Sequence, residues 1–187
     1  MDRIMIRIEN ILNDTQFSEL LNYICKDNSE WLYINSTVKE PKQDTEYIDS
    51  WQLVKPVFHN TVIDSYLFGL IMPIMMKVYK ELNISDGQIS RIKINSLHPN
   101  PNCDAGQPHA LHQDDLDDNA VSCIFYLNNA DGDTVLYNDS KITKFSPIEN
   151  SAIVFPSKLW HASSSPIASE RRLVVNIVFY SDIKVFD

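Results

Sequence analysis

The chain has 187 residues, 44% of them hydrophobic and 22% charged, which suits one globular domain with a sizeable core. Its 16 Lys and Arg against 25 Asp and Glu leave a net charge of −9 with no basic stripe. That balance argues against a nucleic-acid backbone as the main partner. Three cysteines (Cys25, Cys103 and Cys123) are an odd number without paired spacing, so reduced thiols are expected, with Cys25 and Cys123 in the core. Arg3 and Arg7 interrupt the first apolar residues, so no secretory signal is expected. The longest apolar stretch, residues 66–76, contains Gly69 and Pro73 and is too short to span a bilayer.

Ile4, Ile6 and Ile8 alternate with Met5, Arg7 and Glu9, the period of a first strand. Asp14 or Thr15 then caps a helix whose apolar positions are Phe17, Leu20, Leu21 and Ile24. Residues 27–56 scatter Trp31, Tyr33, Trp51 and Val54 among polar neighbours and read as short strands and loops, the aromatics serving as packing. Residues 61–82 predict a longer helix that Pro73 should kink or split, with Met72, Met75 and Met76 filling the core. Ser85-Asp86-Gly87 makes a turn, and residues 88–97 alternate as a strand. Pro99, Pro101, Gly106 and Pro108 then force an irregular loop.

From residue 120 onward the chain is short strands: 122–127, 134–137, 142–145, 152–155, 159–162 and 173–180, with a turn over 129–133. Regular strands with turn signals between them predict a β-sandwich or barrel, one sheet of which the earlier helices cover.

The irregular loop delivers His112-Gln113-Asp114. On an extended backbone one intervening residue puts an imidazole and a carboxylate on the same face, where both can hold one metal ion. A His-x-Asp triplet alone is weak, because it turns up by chance in a solvated turn. Downstream, however, come His161 and then Arg172, on a strand whose residues 172, 174, 176 and 178 share one face. Leu173, Val175, Ile177 and Phe179 make the other face uniformly apolar. Two histidines and one carboxylate with open positions suit a non-haem Fe(II) centre, although zinc accepts the same ligands. An arginine turned inward needs an anion, and its planar fork fits a carboxylate.

This ordered set resembles the 2-oxoglutarate/Fe(II)-dependent dioxygenases, most closely their prolyl 4-hydroxylase-like branch with its short phage and bacterial forms. The likeness covers roughly the whole chain and is strongest over residues 88–180. Residues 6–12 are similar to the family's first strand and helix approach. Ser122-Cys123-Ile124-Phe125-Tyr126-Leu127-Asn128 resembles the strand that supplies a tyrosine to the cosubstrate. Asp131-Gly132-Asp133-Thr134 resembles the Gly-rich turn with one glycine, and residues 172–177 the final strand, its arginine eleven residues after the distal histidine.

The resemblance implies a mainly β fold with N-terminal helices. The core would be a double-stranded β-helix (jelly-roll, cupin-like) with the helices packed on its major sheet. Residues 1–187 would form a single domain, helical support about 1–87 and core about 88–187. It further implies that His112, Asp114 and His161 bind Fe(II) and form the catalytic centre. Arg172 would pair with the distal carboxylate of 2-oxoglutarate and Tyr126 would donate to it, while Thr134 and Asn176 line the pocket. Arg171 competes with Arg172 for that role. Where relatives often carry a tyrosine on the strand before the metal motif, this chain offers Arg91, Lys93 and Asn95.

The expected activity is hydroxylation of a substrate C–H, a prolyl or other peptidyl residue first, with release of succinate and CO2. Fe(II) and 2-oxoglutarate are the expected cofactors, with ascorbate as an accessory. A free amino acid, nucleotide or other small molecule is the alternative substrate, and a metal-binding module without turnover the alternative class. Dioxygen is a partner, whereas nucleic acid and membrane are not expected, and the protein is read as a cytoplasmic monomer or homodimer, a phage-encoded form acting in the host cytoplasm being one reading. His109 is expected to face away from the metal in a loop or substrate-facing position, and His59 and His98 to be surface or packing residues. The acidic run Asp114, Asp115, Asp117 and Asp118 lacks the glycine and terminal glutamate of a calcium loop and reads as a solvated rim that would suit a basic substrate.

Overall fold

The computed structural model describes residues 5–26, 30–38, 47, 50–104, 106–138 and 141–186. Twelve elements follow in order: β1 (Ile6–Glu9), α1 (Asp14–Ile24), β2 (Leu32–Ile34), β3 (Gln52–His59), α2 (Ser65–Leu82), β4 (Gly87–Leu97), β5 (Ala120–Tyr126), β6 (Thr134–Asn138), β7 (Lys141–Phe145), β8 (Ser151–Pro156), β9 (Trp160–Ser163) and β10 (Arg172–Ser181). Seven strands form one antiparallel sheet in the order β1-β8-β5-β10-β4-β3-β2, and β7-β6-β9 form the second. The two make the double-stranded β-helix expected from the sequence.

Strand β10 divides the molecule. Leu173, Val175, Ile177 and Phe179 meet the apolar stripes of both helices, including Leu20, Ile24, Leu67, Ile71, Ile74 and Met75, in one core. Each such fully buried side chain contributes about 1.5–3 kcal/mol, which is what holds the helices on the sheet. On the opposite face Val174 joins Ile124, Tyr126, Leu136, Ile153 and Phe155 in a smaller cluster between the sheets. The polar positions on that face, Arg172 and Asn176, line the site.

Local signals account for most element ends. The cap of helix α1 is Asn13, one residue before Asp14 and two before Thr15, the expected caps. Asn13 accepts from the Gln16 amide at 2.9 Å while the Gln16 side chain accepts from the Asn13 amide at 3.2 Å, a reciprocal capping box. Helix α2 starts at the Asp64 cap and ends on Asn83, whose φ of 56° is left-handed. It runs through Pro73 without splitting. The carbonyl that the proline ring crowds belongs to Gly69, which has nothing within 4 Å of its Cβ position and so has room to tilt.

Met75 is buried as expected but Met76 lies 71% exposed, because the helix turns it away from the sheet. Cys123 is buried, whereas Cys25 is exposed at the end of α1, a correction to its expected core position. Strand β3 extends through Pro56, and its register with β4 shifts between Pro56 and Phe58, where the proline has no amide to offer. Ile4 and most of the 39–49 stretch lie outside the described residues.

Candidate metal centre and adjoining cavity

His112 lies on extended backbone stitched to β9: its amide and carbonyl each bond to those of His161 at 2.9 Å. The Asp114 amide donates to the Ser157 carbonyl at 3.0 Å. The two-residue period therefore sends the His112 and Asp114 side chains toward the same side, where β9 presents His161. One ligand atom from each of these three residues lies within 4.8 Å of the others. The imidazole centroids are 4.2 Å apart, and His161 Nε2 stands 3.4 Å from Asp114 Oδ2.

Both imidazoles are oriented from behind. His161 Nδ1 lies 2.8 Å from the Leu159 carbonyl and His112 Nδ1 3.4 Å from the Ala110 carbonyl. A carbonyl only accepts, so Nδ1 carries the proton in each ring and Nε2 keeps its lone pair for a metal. His161 Nε2 is buried with no hydrogen-bond partner among the described residues. Burial, and then the neighbouring His161, push His112 down to about 3, so it stays neutral.

Asp114 is clamped by two donors: Arg91 Nη2 at 2.5 Å to Oδ1 and Ser122 Oγ at 2.8 Å to Oδ2. Burial alone would raise its carboxyl, but contact with His161 and the charges of His161 and Arg91 hold it well below the usual carboxylate range. The carboxylate is thus ionised, and its two oxygens are inequivalent. This donor set of two basic imidazole nitrogens and one anion fits a divalent transition metal.

A cavity of about 50 Å³ opens beside the triad. Arg172, 3% exposed, lines it; its Nη2 donates to Thr134 Oγ1 at 2.7 Å, and its Nε is buried without a hydrogen-bond partner among the described residues. Arg172 takes part in none of the ion pairs found among the described residues. Burial lowers its affinity for the proton from the ordinary arginine value. A desolvated cation with open donors calls for an anion.

Tyr126 sits one layer back. Its hydroxyl is 2.9 Å from Thr134 Oγ1, and the Arg172 guanidinium lies 5.8 Å from its ring centroid. Asn176 lines the cavity and accepts from Arg91 Nη2 at 3.2 Å. Arg171, the rival to Arg172, reaches outward, with its Nη2 3.2 Å from Cys25 Sγ.

Gly132 explains why one glycine suffices in the turn before β6. A Cβ there would stand 2.6 Å from the Ser164 carbonyl and 3.1 Å from Arg172 Cδ. His109 is not in an open loop: it is 2% exposed, held between Ser163 Oγ at 3.1 Å and Ser165 Oγ at 3.0 Å. His98 stacks on Trp51, a packing role. The acidic run makes no rim to the cavity. Asp115 and Asp117 accept from the amides two residues ahead, Asp118 pairs with Lys158, and Tyr180 donates to Asp115.

Sequence reasoning missed the parts played by Arg91, Ser122, Lys93, Asn95 and Gln52. The last three line the cavity. Their signal was the polar alternation of β4, whose partner across the sheet becomes known only from the register.

Residues 98–180 match the family model described as the 2OG-Fe(II) oxygenase superfamily. No curated protein sequence matches the chain. Among solved structures, an oxidoreductase of the 2OG-Fe(II) oxygenase family from Burkholderia pseudomallei superposes with a TM-score of 0.71 at 12% identity, over 98% of this chain and 89% of its own. A prolyl hydroxylase from Trichoplax adhaerens, in complex with a hypoxia inducible factor peptide fragment, gives 0.63 at 14% identity over 96% and 84%. The alpha ketoglutarate dependent epimerase SnoN from nogalamycin biosynthesis gives 0.64 at 11% identity over 95% and 78%. At these identities the likeness is one of fold.

Proposed function

We propose that this chain, whose residues 98–180 match the 2OG-Fe(II) oxygenase superfamily model, is a 2-oxoglutarate- and Fe(II)-dependent dioxygenase hydroxylating a substrate C–H. One observation carries the reading. Three metal-type ligand atoms lie within 4.8 Å of one another, and two of their residues, His112 and His161, share a cavity with a buried arginine that forms no ion pair among the described residues. In this reading His112, Asp114 and His161 hold Fe(II). Arg172, backed by Thr134 and Tyr126, takes the distal carboxylate of 2-oxoglutarate, with Asn176 on the cavity wall. The bound pair supplies the oxidation, consuming dioxygen and releasing CO2 and succinate as one C–H becomes C–OH.

The chain's own residues do the arranging. Leu159 and Ala110 carbonyls keep the two Nε2 atoms unprotonated, Arg91 holds Asp114 Oδ1 so that Oδ2, beside His161, is the oxygen offered to the metal, and Ile124 and Val174 line the cavity around the guanidinium. Residues 1–187 act as one domain, with the helices as backing.

The target is a peptidyl residue, proline first, by likeness to solved prolyl hydroxylases. A small-molecule substrate is the second reading, favoured by the modest size of the cavity. The free thiols support reading the enzyme as cytoplasmic, with ascorbate as the accessory that would keep the iron ferrous.

Anaerobic addition of Fe(II) and 2-oxoglutarate should produce a weak visible charge-transfer band in the wild type and none in Asp114→Ala. A folded, iron-loaded wild type without the band would end the proposal. Succinate formation stimulated by proline-containing peptides, and not by free metabolites, would support the peptidyl target over the small molecule.

A further inference from the structure

His161, Arg172 and Asn95 all line the cavity beside the triad, and each buries a polar atom with no hydrogen-bond partner among the described residues. Such an atom is costly, so each asks for a ligand group of matching kind. His161 Nε2 keeps a lone pair, which suits a metal. Arg172 Nε carries a proton, which suits a carboxylate oxygen. Asn95 Oδ1 accepts, and so needs a donor. In the proposed function His161 Nε2 faces Fe(II) and Arg172 faces the distal carboxylate of 2-oxoglutarate. Ionised 2-oxoglutarate carries only accepting oxygens, so it has nothing to give Asn95.

The orientation of the Asn95 amide is fixed from behind. Gln52 donates through Nε2 to the carbonyls of Ser36 at 3.1 Å and Thr37 at 3.2 Å, which leaves its Oε1 for Asn95. Asn95 must then donate to that oxygen through Nδ2, at 2.5 Å, and Oδ1 stays the unmet atom. Across the β4–β10 ladder Leu97 stands opposite Arg172, Asn95 opposite Val174 and Arg91 opposite Val178. Asn95 is thus two residues, or about 7 Å at the usual strand rise, from the level of Arg172. It sits between that level and Arg91, which holds Asp114.

We infer that the substrate of this enzyme donates an N–H to Asn95 Oδ1, which Gln52 holds ready as an acceptor. The inference rests on the dioxygenase reading above and adds a substrate requirement to it. An amide or ammonium N–H fits better than a hydroxyl, because it donates without bringing a lone pair up to Gln52 Oε1 and the Ser36 and Thr37 carbonyls. The N–H has two sources: a backbone amide beside the target residue of a peptide, or the amino group of a free amino acid. Asn95 is a specificity residue, and Gln52 is a positioning residue that acts through it.

The test is equilibrium binding to the anaerobic Fe(II)- and 2-oxoglutarate-loaded protein, with probes that exchange an N–H for oxygen at nearly constant shape. An acetylated, amidated Ala-Pro-Gly peptide is compared with the two esters in which oxygen replaces the Ala or the Gly N–H. L-Proline is compared with tetrahydrofuran-2-carboxylate, in which oxygen replaces the ring nitrogen. In one comparison the N–H probe should bind about tenfold or more tightly than its oxygen counterpart. Asn95→Leu should erase that preference, and Gln52→Met, which frees the Asn95 amide to turn over, should reduce it. In both variants the 2-oxoglutarate titration of the charge-transfer band should move by less than about threefold. Circular dichroism verifies their fold.

N–H and oxygen probes that bind alike in every comparison overturn the inference, as does failure of all of them to bind. A preference that survives Asn95→Leu overturns it too. If that variant does not fold, a preference left intact by Gln52→Met does the same. A loss of 2-oxoglutarate affinity in Asn95→Leu assigns the residue to the cosubstrate and is equally fatal. A wild type without the charge-transfer band sinks the dioxygenase reading and the inference with it, whereas a band without an N–H preference sinks the inference alone.

Discussion

Replacing Arg91 by methionine tests how Asp114 is held. The guanidinium meets Asp114 Oδ1 at 2.5 Å and shares the same nitrogen with Asn176 Oδ1 at 3.2 Å. The Asp114 side chain is 3% exposed and that of Arg91 28%. A hydrogen bond to a charged group contributes about 1.5–3 kcal/mol, and orphaning a fully buried ion costs about 3–5. Because the arginine is partly solvated, screening puts the metal-free protein in the lower range. For a chain of this size that lowers the melting temperature by roughly 3–12 °C.

The second consequence is specific to the site. Without Arg91 both carboxylate oxygens can turn to the metal, and divalent-metal affinity should fall about 10–100-fold. Saturating Co(II) or Fe(II) should also widen the melting gap between variant and wild type, since the tighter binder gains more stability from the ion. Arg91→Lys keeps the charge but not the two-pronged reach and should fall between. Thermal melts with and without metal, paired with a metal titration, read both effects. A variant with wild-type melting and wild-type metal affinity would refute the reasoning and leave Ser122 and the backbone as sufficient.

Three further expectations follow from the same geometry. Gly132→Ala should weaken 2-oxoglutarate binding and destabilise the fold by about 1–3 kcal/mol, read by band titration and denaturant melts, because its Cβ drives into the Ser164 carbonyl and Arg172 Cδ. Asp131 accepts from the amides of Ile167, Ala168 and Ser169 at 3.0, 2.8 and 3.0 Å. Burial pushes its carboxyl up, but these bonds prevail and hold it well below the ordinary value. Its folded value is depressed, so its stabilisation is whole above about pH 4 and is lost as pH falls below that. Asp131→Asn should flatten the stability profile between about pH 4 and pH 2, and an unchanged slope in urea melts would contradict this. His109→Ala should lower stability, by cutting two buried hydroxyl contacts, while metal stoichiometry stays at one; loss of the ion would instead make His109 a ligand.

The amino-acid sequence alone determined a good deal. The His-x-Asp spacing announces two ligands on one face, and the apolar and polar faces of residues 172–179 announce a strand between helices and a polar interior. Such features are local, because period two and helical spacing report which way a side chain faces whatever lies opposite. Even the choice of Arg172 over Arg171 follows from that parity. What lies opposite was decided by tertiary structure. Placing Arg91 on Asp114, Lys93 across from Asn176 and His109 between two serines depends on the hydrogen-bond register of strands distant in the chain. A one-residue slip would turn every one of those side chains to the other face. Register is set by the packing of the whole β-helix, and no stretch of sequence carries it alone.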